Sequence, residues 1–518
     1  MGQESLQILI VMVVYMAAVI GIGIFFARRA NADTEKFFLG GRSLGPWVSA
    51  MSAEASDMSG WLLMGLPGVA YWCGLADAFW TAAGLAVGTY INWLVVSKRL
   101  RRYSIAANNA ITLPEFFSNR FHEKKKVIMG ISAAFILVFF TVYAASCLVT
   151  CGKLFSTLFG APYITMMLVG AAFVLIYTLL GGFLAESASD FMQAIVMVVV
   201  LVAVLTLGVA SAGGLGAVFE NVKDFPGFLE FFGIADPVTE GGVQLAVNGV
   251  PSFGARQNYG ALNVASMLAW GLGYFGMPQV LLRFMAIRRE DELKRARRVA
   301  MVWVVISLTA AIMIGIVGRA LFPTALTTAS EAENVFIYLS RSLLPAALAG
   351  LAMAGILAAT ISSSDSYLLI AASAFAKNAY QGIFKKNATD KEVMTLSRIM
   401  LLVITAIAIV IALDENSVIF TIVSFAWAGF GATFGPLVLF SLFWKRMTRA
   451  GAIAGMLSGG GMVFIWKLVI KPLGGIFGIY ELLPAFIVSS IFIIAVSLLT
   501  NAPSKEIQDE FERVKKGA

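Results

Sequence analysis

The chain has 518 residues, 59% of them hydrophobic and only 13% charged, against roughly 45–50% and about 25% in soluble proteins. With a mean hydropathy of +0.84, this composition excludes a soluble enzyme, a nucleic-acid binder and a disordered scaffold. The net charge of +8 reads as basic cytoplasmic loops, and the continuous apolar runs exclude a β-barrel, whose strands alternate.

A spanning helix needs about 20 apolar residues. Thirteen stretches qualify: 6–27, 44–71, 76–97, 127–157, 162–183, 190–211, 263–285, 299–321, 346–376, 395–413, 417–443, 450–471 and 479–499. The first lacks a basic leader and reads as a retained span, not a cleaved signal. With the N-terminus outside, the inside segments are 28–43, 98–126, 286–298, 377–394, 444–449 and 500–518, and they hold 29 of the 38 Lys and Arg. The longest outside loop, 212–262, has only Lys223 and Arg256 against five acids. This asymmetry predicts a plasma-membrane protein with its C-terminus in the cytoplasm. The charged tail 500–518 reads as a solvated surface helix. There is no G-x-x-x-x-G-K-(S/T) phosphate loop, so an ATP-driven pump is not expected.

Two spans carry breaks. The second places Ser52, Glu54, Ser56, Asp57, Ser59 and Gly60 in its middle. A carboxylate at the bilayer centre costs about 2.5–3.5 kcal/mol, so this pattern predicts a discontinuous helix whose freed backbone lines a cavity. The seventh span has Gly271, Gly273, Gly276 and Pro278 interleaved with Trp270, Tyr274 and Phe275, a second predicted unwound point. The breaks are five spans apart. Spans 2–6 (44–211) and 7–11 (263–443) then form two five-helix halves, and an odd number inverts the second. That is the plan of a secondary transporter with its site at the midplane, flanked by helices at 6–27 and 450–499 in a single domain.

The ninth span gathers Ser362, Ser363, Asp365 and Ser366 within about one turn, an oxygen-rich set suited to a hard cation such as Na⁺. Glu186 and Asp190 begin the sixth. Glu186 reads as snorkelled or loop-exposed, whereas Asp190 runs straight into apolar sequence and reads as buried.

The stretches FFLGGRSLGPWVSAMSAEASDMSGWLLMGLPG, GGFLAESASD, WGLGYFGMP with RFMA after it, GILAATISSS and WAGFGATFGPLVLFSLFWKRMTRAGAIAG resemble the sodium/solute symporter family, most closely its proline-carrying branch. The resemblance runs from residue 37 to about 455. It implies an all-α, LeuT-type five-plus-five fold of about thirteen helices, with Na⁺ as the coupling ion. The family's sodium site would fall on Ala55, Met58, Ala359, Ser362 and Ser363, with Asp57 beside it. Proline contacts would fall on Ser59, Trp61, Tyr143, Trp270 and Tyr274, and the backbone near Ser59 and Gly60 would offer N–H groups to a carboxylate. A second sodium, found in some members, would use Asp190, Ser362, Asp365 and Ser366. A protonated carboxyl is the alternative there, since two unneutralised acids would repel. The chain departs from the branch at Gly276-Met277-Pro278-Gln279 and in its acids at Glu54, Glu186 and Asp365.

The expected function is Na⁺-coupled uptake of L-proline by alternating access. The alternative is another small amino acid or a carboxylate solute. The expected partners are this solute, Na⁺ and the lipid bilayer, with no nucleic acid and no obligatory protein partner. Paired broken helices favour a carrier over a channel. The short tail leaves no room for a signalling domain, and no nucleophile–base pair suggests an enzyme.

Overall fold

The computed structural model describes residues 3–30, 33–180 and 182–517. Gly181, which opens the GGFLAESASD stretch, and residues 31 and 32 of the first basic loop lie outside these. The order is α1 (Gln3–Ala30), α2 (Thr34–Leu39), α3 (Pro46–Gly60), α4 (Leu66–Cys73), α5 (Leu75–Ile91), α6 (Ser97–Ala106), α7 (Leu113–Arg120), α8 (Val127–Phe159), α9 (Tyr163–Leu180) and α10 (Phe183–Ser211). Then come α11 (Leu215–Val222), α12 (Ala261–Leu268), α13 (Trp270–Gly273), α14 (Pro278–Ala286), α15 (Leu293–Leu321), α16 (Ala329–Ala332), α17 (Val335–Leu343) and α18 (Ala346–Ser373). The chain ends with α19 (Asp390–Ile411), α20 (Ile419–Phe443), α21 (Arg449–Ile465), α22 (Leu482–Leu499) and α23 (Lys505–Lys516).

Among the described residues, ten helical segments are long and apolar enough to cross a membrane. The expected spans at 44–71, 162–183 and 263–285 are helical too. The second and seventh are each built from separate pieces, and α9 forms a shorter apolar helix. Among the described residues, short strands occur only in the loop 212–262, as three two-stranded antiparallel pairs.

Both breaks are present. Residues 46–58 are helical, so the first interruption is narrower than the polar run suggested. It falls at Ser59, a non-glycine residue at φ 42°, and a π-turn over Trp61–Gly65 follows before α4 resumes. Such a conformation is costly for a side-chain-bearing residue and persists only where its surroundings impose it. One such constraint is at Gly60, where an added Cβ would stand 2.5 Å from a Thr150 methyl on α8. The second break separates α13 from α14, with Met277 extended (φ −76°, ψ 109°) and Pro278 opening α14. Gly276 lies so close to α20 that a Cβ would fall 2.3 Å from the Phe430 carbonyl oxygen.

The two broken helices pack antiparallel. At their ends a local parallel bridge joins Leu44 to Ile287, through Leu44 N–H to Ala286 O (3.1 Å) and Arg288 N–H to Leu44 O (2.9 Å). Further in, Ser49 Oγ donates to Arg283 O (3.1 Å), Gln279 Nε2 donates to Asp57 Oδ1 (3.1 Å), and Trp61 meets Trp270. One chain's numbers rise as the other's fall, which is the inversion that an odd five-helix spacing requires. Arg42 secures the Leu44 end of this seam, donating to Met285 O (2.7 Å), Ala110 O (2.8 Å) and Ser104 Oγ (3.0 Å). Burial lowers its guanidinium to about 10, which leaves it charged at neutral pH.

The tail differs from expectation. Helix α23 is not simply solvated. Its Phe511 and Val514 are buried, Arg99 and Arg120 lie over the Phe511 ring, and Glu510 accepts from His122 at 2.9 Å. Its apolar stripe therefore docks against α6 and α7.

Candidate functional site

The first break, α8, α10, α14 and α18 converge on one buried region. Along α18, Ser362 and Ser363 are adjacent, and both hydroxyls reach the same carbonyl on α3. Ser362 Oγ donates to Ala55 O (2.9 Å) and Ala359 O (3.2 Å), and Ser363 Oγ to Ala55 O (3.3 Å). Four of the five expected sodium-site positions are thus brought together as two carbonyls and two hydroxyls, all fully buried. The fifth, Met58, has its carbonyl engaged by Trp61 N–H across the break. An all-oxygen set of neutral dipoles suits a hard monovalent cation, and each hydroxyl can turn a lone pair toward such an ion.

Asp57 sits beside this set. Its side chain accepts from Gln279, and its carbonyl accepts from the Tyr143 and Tyr367 hydroxyls, both at 3.4 Å. The sequence reading included Tyr143 but missed Tyr367, which stacks on it at 4.2 Å. Glu54 lies one turn away and accepts from Trp93 Nε1 (3.2 Å).

Beyond the break lies a second aromatic group. Trp61 and Trp270 stand 5.6 Å apart, Phe420 lies 5.2 Å from Trp270, and Tyr480 stacks on Trp270 at 5.1 Å. Trp427 meets Tyr274 edge-on at 5.1 Å and donates Nε1–H to Trp270 O (2.8 Å). Phe420, Trp427 and Tyr480 come from spans in the last third of the chain, and of these only Trp427 fell in a stretch noted in the sequence, the Gly-rich run that it opens. Aromatics in apolar helices are too common for sequence to select them. Trp61 Nε1 is buried without a hydrogen-bond partner, a donor left over for a solute. Trp61 N–H is shared between Met58 O and Ser59 Oγ (3.2 Å).

A latch holds Phe420 in place. Glu333 receives Lys153 Nζ (2.7 Å), Ile419 N–H (2.9 Å) and Phe420 N–H (2.9 Å). It therefore caps α20 where the Phe420 ring covers the tryptophans, its charge placed at the positive end of a helix.

The acids of α10 are where the structure departs most from expectation. Glu186 is buried, with its side chain 3% exposed, and is neither snorkelled nor loop-exposed. It pairs with Arg283 of α14. The same guanidinium reaches Asp190 Oδ2 (3.2 Å), Ser366 Oγ (3.0 Å) and Ser52 Oγ (3.0 Å), and Ser52 Oγ donates to Asp190 (2.7 Å). The second-sodium expectation assumed that Asp190 faced Asp365 with no cation between them. Arg283 supplies a cation there, on Asp190 Oδ2 and Ser366 Oγ, while Asp190 Oδ1 and Asp365 Oδ2 stay buried without a partner. A lone Arg at the end of an apolar run was the signal available in sequence, since such residues are paired when buried.

A LeuT-type carrier architecture, two antiparallel broken helices around a buried oxygen-lined point, is thus in place. It aligns with a solved Na⁺-coupled sialic acid symporter over 96% of this chain and 99% of that one, at a TM-score of 0.76 and 16% identity. A nucleobase-cation-symport-1 family transporter aligns at a TM-score of 0.53 and 12% identity, over 92% of this chain and 98% of that one. The model of the sodium:solute symporter family matches residues 37–459, and the chain belongs to that family of transporters. It is 44% identical to a sodium/proline symporter of Haemophilus influenzae, over 98% of this chain and 97% of that protein. It is 40% identical to a sodium/proline symporter of Escherichia coli, over 98% and 96%, and 39% identical to an osmoregulated proline transporter of Bacillus subtilis, over 97% and 96%.

Proposed function

We propose that this protein carries L-proline into the cell together with Na⁺ by alternating access across the plasma membrane. The observation that carries the reading is the meeting of the Ser362 and Ser363 hydroxyls with the Ala55 carbonyl, beside a helix break walled by aromatic rings. Na⁺ is held by Ala55, Met58, Ala359, Ser362 and Ser363, with the Asp57 carboxylate nearby to favour positive charge. Ser59, Gly60, Trp61, Tyr143, Trp270 and Tyr274 receive the solute. The names of the relatives supply proline, and the rings suit it: an apolar ring packs on them, and their faces favour its ammonium by about 0.5–2 kcal/mol. The N-terminus lies outside and the C-terminus in the cytoplasm, on the strength of the Lys and Arg distribution.

In this account Trp61, Trp270 and Phe420 shut the outer end, and the Leu44–Ile287 seam with Arg42 and Arg283 shuts the inner. Opening one while the other holds gives alternating access. The test is uptake of labelled proline into proteoliposomes under an imposed inward Na⁺ gradient, with other amino acids and small carboxylates as competitors. Concentrative uptake blocked by unlabelled proline alone supports the reading. A better competitor moves the substrate to that compound.

Trp270→Ala removes the ring that touches Trp61, Phe420, Trp427 and Tyr480. The expected result is at least a tenfold loss of proline binding with the protein still monodisperse in detergent. Scintillation proximity binding beside size-exclusion chromatography measures both. Wild-type proline affinity in this variant would remove Trp270 from the site.

A further inference from the structure

Helix α22 belongs to neither five-helix half, yet the residues that lead into it reach the candidate solute site. Tyr480, just before α22, is 3% exposed. Its ring lies on Trp270 with centroids 5.1 Å apart and planes at 23°. Of the four rings around Trp270 it is the nearest and the closest to parallel. Aromatic pairs in such contact attract beyond the area that they bury.

Both donors of Tyr480 anchor that ring, and they do so on different elements. The hydroxyl donates to Ser424 O on α20 (2.6 Å), and the N–H donates to Ser266 Oγ on α12 (2.8 Å). The chain beside Tyr480 is pinned in turn. Glu481, its side chain fully buried, pairs with Lys471 (3.0 Å) and Lys467 (3.5 Å) in the turns that continue α21. Trp466 Nε1 also donates to Ile479 O (3.3 Å). The tip between these ties is open, with Leu473 and Ile476 exposed. The α21–α22 hairpin is thus fixed at its base and lays one ring on Trp270. Opening the outer end parts Phe420 of α20 from Trp270, and Tyr480 is fastened on both sides of that line. Packing alone would need the ring but neither bond.

We propose that Tyr480 is a positioning residue that straps Trp270 and α12 to α20 while the outer end is closed, so that the flanking α21–α22 hairpin sets how long a bound solute is held. Weakening the strap favours the open end. Solute then leaves faster, and its entry is not slowed. The effect on solute rests on the reading of Trp270 as a solute contact, whereas the strap itself is read without any solute.

The experiment uses the full chain purified in detergent, with association and release of labelled L-proline followed in Na⁺. Tyr480→Phe removes only the bond to Ser424 O and is expected to speed release about three- to tenfold with association unslowed. Ser266→Ala, which keeps the ring, is expected to behave alike. Tyr480→Ala removes the stack as well and is expected to speed release about ten- to a hundredfold. In parallel, Ser266→Cys is made in a chain whose Cys73, Cys147 and Cys151 are replaced by Ser, and its thiol is titrated with a maleimide in the absence of proline. Adding Tyr480→Phe is expected to speed that labelling about three- to tenfold, although the ring that covers the thiol remains. Unchanged release in both Tyr480 variants overturns the strap. So does slowed association, or a loss of binding sites, with release unaltered, which makes Tyr480 a packing residue only. If the wild-type chain binds no proline, the proline reading fails and the thiol decides: equal labelling with and without Tyr480→Phe refutes the strap, and faster labelling upholds it.

Discussion

Replacing Arg283 with Met is expected to abolish transport and to destabilise the folded chain by about 3–5 kcal/mol, the cost of leaving one half of a buried ion pair behind. Arg283 is fully buried and satisfies Glu186, Asp190, Ser52 and Ser366 at once. Removing it strands two carboxylates that, among the described residues, have no other cation in contact. The physical claim is charge compensation, not volume, so Met, which keeps much of the stem, is the informative substitution. Adding Glu186→Gln to Arg283→Met removes one stranded charge and is expected to recover part of the stability without recovering full transport, because the inner end loses its tie. Thermal unfolding in detergent and uptake in vesicles read the two effects separately. A single mutant as stable as wild type would mean that the cluster is already protonated enough to need no arginine.

The second large effect is at the sodium site. Ser362→Ala with Ser363→Ala removes both hydroxyls that meet Ala55 O. A hydrogen-bonding group serving a charge contributes about 1.5–3 kcal/mol, and about 1.4 kcal/mol is tenfold in affinity. Each hydroxyl should therefore count for about one to two orders of magnitude in the Na⁺ concentration for half-maximal uptake, and the pair for about two to four. The membrane potential supplies about 2.3 kcal/mol per charge per 100 mV, so uptake should also lose its sensitivity to an imposed potential. Both are measured as labelled-proline uptake against Na⁺ concentration and against a potassium diffusion potential. An unaltered Na⁺ requirement would place the ion elsewhere.

The features most legible in sequence were those that violate the membrane's own rules. Ser59 and Gly60 in one apolar stretch and Gly276–Pro278 in another mark breaks that the structure contains, because polar residues and helix breakers are costly there unless used. The Ser362–Ser363 pair was visible for the same reason. What stayed hidden depended on pairing between distant spans. Arg283 and Glu186 are 97 positions apart, and Glu186 alone resembled a loop-edge charge. Lys153 and Glu333, 180 positions apart, meet at the start of α20 in the same way. Phe420, Tyr480 and Tyr367 carry no marker in apolar helices already rich in aromatics. The docking of α23 was missed because its buried stripe, Phe511 and Val514, is short within a strongly charged helix.

The central claim is that solute and sodium move together, and the most direct measurement is the current that they produce. With the purified protein on a solid-supported membrane, adding L-proline in the presence of Na⁺ should give a transient inward positive current. That current should vanish when choline replaces Na⁺ and shrink in the Ser362→Ala, Ser363→Ala double mutant. A proline-evoked current of the same size without Na⁺, or proline uptake with no dependence on Na⁺, would contradict the account.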